Sequence, residues 1–255
     1  MKANLRQYRV YVYLSFIPLL MTNCRDTTQT STSSYCNVSD SSWCLDNSVF
    51  FCCREFRYST KIWDKDYLLL SEAEVLVMAT GGVFNGNQEE LKIIFEDDPD
   101  EQVKYETYKI NKSLEREWLE SYEEGFWETE KSIWIHPVRV NQYDFTQIAP
   151  YPDIVYDLLK PGSEWPGSIN IHSGWGDWSD SHLDHRYYVR GIEGVHVPMG
   201  KIDSCWVIES IATGTIGTST LTYWFKKEYG YVKMIYNNYE GQILLFELVD
   251  IINHR

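Results

Sequence analysis

From residue 48 onward, short apolar or period-two runs alternate with turn residues, a pattern that predicts strands rather than helices. Residues 48–53 (SVFFCC), 91–96 (LKIIFE), 103–110 (VKYETYKI) and 132–136 (SIWIH) carry the β-branched and aromatic content of strands. Five further runs follow at 186–197, 203–213, 218–228, 229–238 and 242–251. Their links, Pro198-Met199-Gly200, Thr213-Gly214, Gly230 and Asn238-Tyr239-Glu240-Gly241, have turn chemistry. Links this short make neighbouring strands antiparallel. Two stretches are ambiguous. Residues 69–80 (LLSEAEVLVMAT) fit a helix or a buried strand. At 113–125, Leu114, Trp118 and Tyr122 fall at helical spacing, which favours a helix. Between Pro137 and Pro166 the chain is punctuated by proline and reads as irregular, crossing one end of the sheet. The expected fold class is mainly β: a single curved antiparallel sheet or open half-barrel with one or two helices.

The first residues read as an address. Lys2, Arg6 and Arg9 precede an apolar run of twelve, Val10 to Met21, too short to span about 30 Å of hydrocarbon but suited to a secretory signal. A cysteine follows at Cys24, leading into a Ser/Thr-rich tract (TTQTSTSS, 27–34). The expected organisation is a signal at 1–23, a flexible tether at 24–46 and one antiparallel β domain at 47–255. Removing Lys2, Arg6 and Arg9 moves the formal charge from −14 to −17. So acidic a chain is a poor partner for nucleic acid or an anionic membrane surface. No run of 18 apolar residues exists, which excludes a polytopic membrane protein.

The cysteines are Cys24, Cys36, Cys44, Cys52, Cys53 and Cys205. Cys36 and Cys44 flank a short polar loop and could be bridged. Cys52 and Cys53 are adjacent, and on a strand they would point to opposite faces. Cys205 reads as a buried strand position. The spacings fit no common zinc site. Sequons occur at Asn37 and Asn111.

The segment Met21-Thr22-Asn23-Cys24 resembles the lipid-attachment box of bacterial lipoproteins, although Met21 and Asn23 replace the usual leucine and small residue. That resemblance implies acyl chains, palmitate among them, on Cys24, and a membrane partner through this N-terminal anchor. Without it, the chain would be a soluble secreted protein. Farther along, Ile133-Trp134-Ile135-His136-Pro137-Val138-Arg139, Pro150-Tyr151-Pro152-Asp153-Ile154-Val155, Gly174-Trp175-Gly176-Asp177-Trp178, Ser204-Cys205-Trp206-Val207-Ile208-Glu209 and Thr222-Tyr223-Trp224-Phe225 resemble an uncharacterised family of bacterial envelope lipoproteins. The C-terminal part, from Val197-Pro198-Met199-Gly200 through Cys205 to Tyr229-Gly230-Tyr231-Val232-Lys233, is similar to envelope domains with a lipoprotein-carrier-like half-barrel. The resemblance implies a location, facing periplasm or cell surface, and a fold; it implies no activity.

Two constellations could carry chemistry. His172, Asp177, Asp180, His182, Asp184 and His185 could supply a metal centre for a hydrolase, although His182 and His185 fall on opposite faces of a strand. Trp165, Trp175 and Trp178 lie in a Gly/Pro/Ser-rich stretch, where rings could stack on a glycan or line a hydrophobic groove; the alternative is that they cap the sheet. The acidic run 96–101 reads as a solvated turn. No nucleophile elbow, EF-hand or phosphate loop with its lysine is present, and no cofactor is implied. The expectation is a non-catalytic domain that binds a hydrophobic or glycan ligand or another envelope protein.

Overall fold

The computed structural model describes residues 44, 46–96 and 100–254. Cys24, Cys36, the sequon at Asn37 and most of the 24–46 segment lie outside them. The strands are β1 (Arg54–Trp63), β2 (Leu69–Phe84), β3 (Gln88–Glu96), β4 (Ser121–Glu128), β5 (Ser132–Ile135), β6 (Asp153–Val155), β7 (Glu164–Asn170), β8 (His182–Val197), β9 (Gly200–Gly214), β10 (Thr218–Lys226), β11 (Gly230–Asn237) and β12 (Ile243–Asn253). Among the described residues one α-helix, α1 (Glu101–Tyr108), lies between β3 and β4. All twelve strands join one antiparallel sheet in the order β6-β5-β4-β3-β2-β1-β12-β11-β10-β9-β8-β7. Every pair consecutive in sequence is laddered except β6 and β7, and the first strand pairs with the last.

The expected mainly β sheet is therefore observed, open and not closed into a barrel. The wall nevertheless curls on itself. Only residues 156–163 connect β6, at one edge, to β7, at the other. Eight residues reach at most about 27 Å, whereas twelve strands laid flat would spread over about 50 Å.

Several local expectations are corrected. Residues 48–53 are bends and turns, because Cys53 takes a left-handed backbone (φ 65°) and Cys52 is bridged to Cys44, with Cα atoms 5.0 Å apart. Cys44 thus pairs with Cys52, not Cys36. Residues 103–110 fall largely in α1, where Tyr105 turns inward and Val103 stays exposed. The favoured helix at 113–125 is irregular to residue 120 and then becomes β4, where period-two alternation with its neighbours β3 and β5 replaces the helical spacing of Leu114, Trp118 and Tyr122. The ambiguous 69–80 segment is strand β2, laddered on both sides, with Val75, Val77 and Ala79 all buried. Cys205 is the expected buried strand residue.

Width explains what fills the sheet. About eight strands enclose a space that wall side chains alone can fill. Here the Pro-punctuated stretch supplies the rest: residues 141–150 are buried without exception, with a 3₁₀ segment at Asn141–Ile148. Tyr143 stacks on Phe95 and contacts Phe246, and its hydroxyl lies 2.8 Å from Thr60 Oγ1. One buried ion pair ties this plug to the wall. Glu124 of β4 accepts Arg139 Nε at 2.6 Å and the Arg139 terminal nitrogen at 2.7 Å, with His136 Nδ1 2.8 Å away. Arg139 also donates to Gln147 Oε1 and to the Tyr151 hydroxyl, so one side chain gathers both ends of the plug. Burial by itself would raise the Glu124 carboxyl; His136 and Arg139 outweigh it and hold it below the ordinary range.

At one rim, Glu128 accepts the backbone N–H groups of Ser48, Val49 and Phe50 at 2.7–2.9 Å. This seats Phe50 against Phe56 and Phe126. Loss of one partner from a buried pair leaves the other charge uncompensated. Glu124→Gln is therefore expected to cost about 3 kcal/mol in urea unfolding, and to expose the 136–152 backbone to hydrogen exchange before the strands.

Candidate functional site

The seam between β6 and β7 is held by side chains in place of a ladder. Trp165 Nε1 donates to Asp153 Oδ2 at 2.9 Å, the Tyr187 hydroxyl donates to the Tyr151 carbonyl at 2.9 Å, and the Tyr223 hydroxyl donates to the Asp153 carbonyl. Trp165 stacks on Tyr187 with rings 5.2 Å apart and 7° from parallel. The sequence-predicted Trp165 is thus a buried seam residue. Trp178 is also buried, at 1% exposure, and donates to the Tyr239 hydroxyl at 3.3 Å. Trp175 is half-buried with the Arg116 guanidinium 3.6 Å above its ring. The three tryptophans fill the structure rather than form a shared platform.

The His/Asp constellation does not converge. His172, Asp177 and Asp180 are exposed in the loop between β7 and β8. That loop docks on residues 111–114: Asn111 Nδ2 donates to the Trp175 carbonyl and the Asp177 amide donates to Ser113 Oγ. Gly176 (φ 54°) is needed there, since a Cβ would lie 2.9 Å from the Leu114 backbone nitrogen. The Asn111 amide is buried by the same contact, which closes that sequon. On β8, His182 points outward to Asn170 and Asp184, whereas His185 points inward to the Tyr187 hydroxyl. Among the described residues, no group of three or more His, Cys, Asp or Glu side chains is placed to hold a metal ion.

Two cavities inside the sheet, among the described residues, are small. The cavity under the plug, edged by His136, Pro137 and Met234, holds about 20 Å³, space for about one water. A second cavity of similar size lies beside Tyr105, Arg116 and Asp144. The Asp144 carboxyl accepts the Tyr105 hydroxyl, and burial pushes it up to about 6. By contrast, a depression of about 450 Å³ opens on the outer face of β8–β10. Arg186, Tyr188, Glu209, Ile211, Thr220 and Thr222 line it, on rungs fixed by the register Arg186–Ile211–Thr220 and Tyr188–Glu209–Thr222. Sequence reasoning passed over these residues. The signal was the alternation in β8, which sends Arg186 and Tyr188 outward as Tyr187 and Val189 go in.

No family model matches the chain, and no curated protein matches it. Among solved structures it is similar to a candidate exported protein with a YmcC-like fold from Bacteroides fragilis, at 10% identity and a TM-score of 0.40, over 79% of this chain and 96% of that one. It is likewise similar to a candidate lipoprotein from Parabacteroides distasonis, at 10% identity and a TM-score of 0.40, over 81% of this chain and all of that one.

The seam carries opposed titrations. Burial pushes the Asp153 carboxyl up to about 6, with only the Trp165 indole opposing it. The folded chain then holds this proton more tightly than the unfolded one, so the contribution is complete below about pH 4 and is lost as pH rises through 6. Burial pushes His185 down to about 4, so its neutral form supports the fold above about pH 6.5 and that support is lost as pH falls towards 4. Asp153→Asn, which keeps an oxygen for Trp165, is expected to raise the stability at pH 8 by about 2–3 kcal/mol. At pH 4 it should leave stability nearly unchanged. Thermal unfolding of both proteins across pH 4–8 checks this, and a gain confined to the acid end would contradict the assignment.

Proposed function

We propose that the chain is an exported envelope protein, lipid-anchored through Cys24, whose β domain is a non-catalytic module that meets its ligand or partner on the outer face of the sheet. The observation that carries the outer-face reading is the filled interior. A carrier of acyl chains needs an apolar cavity of some hundreds of Å³, and the cavity under the plug, among the described residues, holds about 20 Å³. Export and anchoring rest on the twelve-residue apolar run before Cys24 and the Ser/Thr-rich tract after it. The Cys44–Cys52 disulfide fits an oxidising compartment. The dispersal of the His/Asp constellation gives the hydrolase alternative no geometric support.

Two measurements test the reading. Intact mass after expression with the signal in a bacterial host is expected to show loss of residues 1–23 and an acyl increment, both absent from Cys24→Ser. An unmodified mass cut near residue 23 would make the protein soluble and secreted. A fluorescent fatty acid titrated into the protein is expected to show no saturable enhancement; a stoichiometric site inside the sheet would overturn the outer-face reading.

A further inference from the structure

Most cations on the outer faces of the strands have carboxylate partners, and Lys226 of β10 donates instead to the Asp203 carbonyl at 3.0 Å. Arg57 lies near Glu74 and Glu96, Lys61 pairs with Glu72, Lys92 with Glu123, Arg190 with Glu209 and Lys233 with Glu247. In a chain with 37 acidic residues such pairing is the expected arrangement. Arg186 departs from it: among the described residues no carboxylate lies within ion-pair reach of its guanidinium. It stands in the depression on β8–β10 beside Tyr188, a residue 36% exposed, and across from the hydroxyls of Thr220 and Thr222. Glu209, turned toward Arg190 at 3.4 Å, completes the lining.

We propose that this depression is a binding site for an acidic saccharide, with Arg186 holding the sugar carboxylate and the Tyr188 ring against a pyranose face. The proposal rests on the outer-face reading and names its ligand. Each group suits one part of such a molecule. A guanidinium presents paired N–H donors that match a carboxylate. An exposed aromatic ring covers the apolar C–H face of a sugar. Thr222 and Glu209 offer a hydroxyl donor and a carboxylate acceptor to ring hydroxyls. The volume, about 450 Å³, falls within the range of small-ligand sites. The groups stand on central rungs of laddered strands, so they are fixed before a ligand arrives. An extended acidic peptide fits less well, because at these rungs β9 is paired on both sides and leaves no free edge to augment.

Calorimetric titration of the full chain with trigalacturonate tests the site, beside its fully methyl-esterified form and a hexaglutamate peptide. The expected result is saturable binding to the acid that weakens about tenfold for the ester and for Arg186→Gln, the loss of one charge-assisted pair. Tyr188→Ala should weaken it about threefold. Lys233→Gln, on the same outer face but outside the depression, should leave it unchanged. Absence of saturable binding, equal affinity for the ester, or indifference to Arg186→Gln would overturn the proposal. Equal affinity for hexaglutamate would reassign the site to acidic peptides and overturn the saccharide. A fatty acid taken up in the interior would overturn the outer-face reading instead, so the two failures are distinguishable.

Discussion

A twelve-stranded wall is wider than its own side chains can fill, and this constraint governs much of the rest. An up-and-down sheet of this size must stay open, enclose solvent or admit another segment of chain. Here residues 136–152 enter it, and the charged knot of Glu124, His136 and Arg139 holds them there. The same constraint accounts for the aromatic load of ten Trp, nineteen Tyr and ten Phe. Tyr143, Tyr187, Tyr223 and Tyr236 are among the largest fully buried side chains. Tyrosine suits such a place: the ring fills volume, and its hydroxyl can reach a carbonyl that no neighbouring strand satisfies.

That second property matters most at the seam. Strands β6 and β7 are edges, and an edge is a liability for aggregation. Covering it with Trp165, Tyr187 and Tyr223 protects the backbone without closing the ladder. The cost is a buried carboxyl at Asp153 with no cation beside it. The arrangement ties the two edges of the open sheet together by three side-chain hydrogen bonds rather than by a cooperative row of backbone bonds.

Chemistry is correspondingly sparse inside and concentrated outside. Several polar groups in the interior are committed to one another: Asp144 to Tyr105, Arg139 to Glu124, Trp165 to Asp153. Groups free to meet a ligand stand on the outer face of β8–β10, where strand alternation puts Arg186 and Tyr188 side by side, with Thr220 and Thr222 two strands away on β10.

The division between sequence and tertiary structure follows from these points. Alternation along the C-terminal third, with Gly and Pro at its links, was enough to predict a run of antiparallel strands, because period-two patterning is a local property. The apolar run before Cys24 is local in the same sense. Local pattern failed where distant partners decide. Residues 103–110 alternate like a strand, yet Tyr105 is claimed by Asp144, 39 positions away, and the segment becomes a helix. The tryptophans at 165 and 178 look like a loop platform until Asp153 and Tyr239 bury them. His182 and His185 are three apart, a spacing that on a strand sends one out and the other in. The sequence by itself determined the antiparallel strands of the C-terminal third, whose alternation is a local property. Which face of the sheet is full and which is free was decided only when the curl of twelve strands left a space that the chain's own middle segment had to occupy.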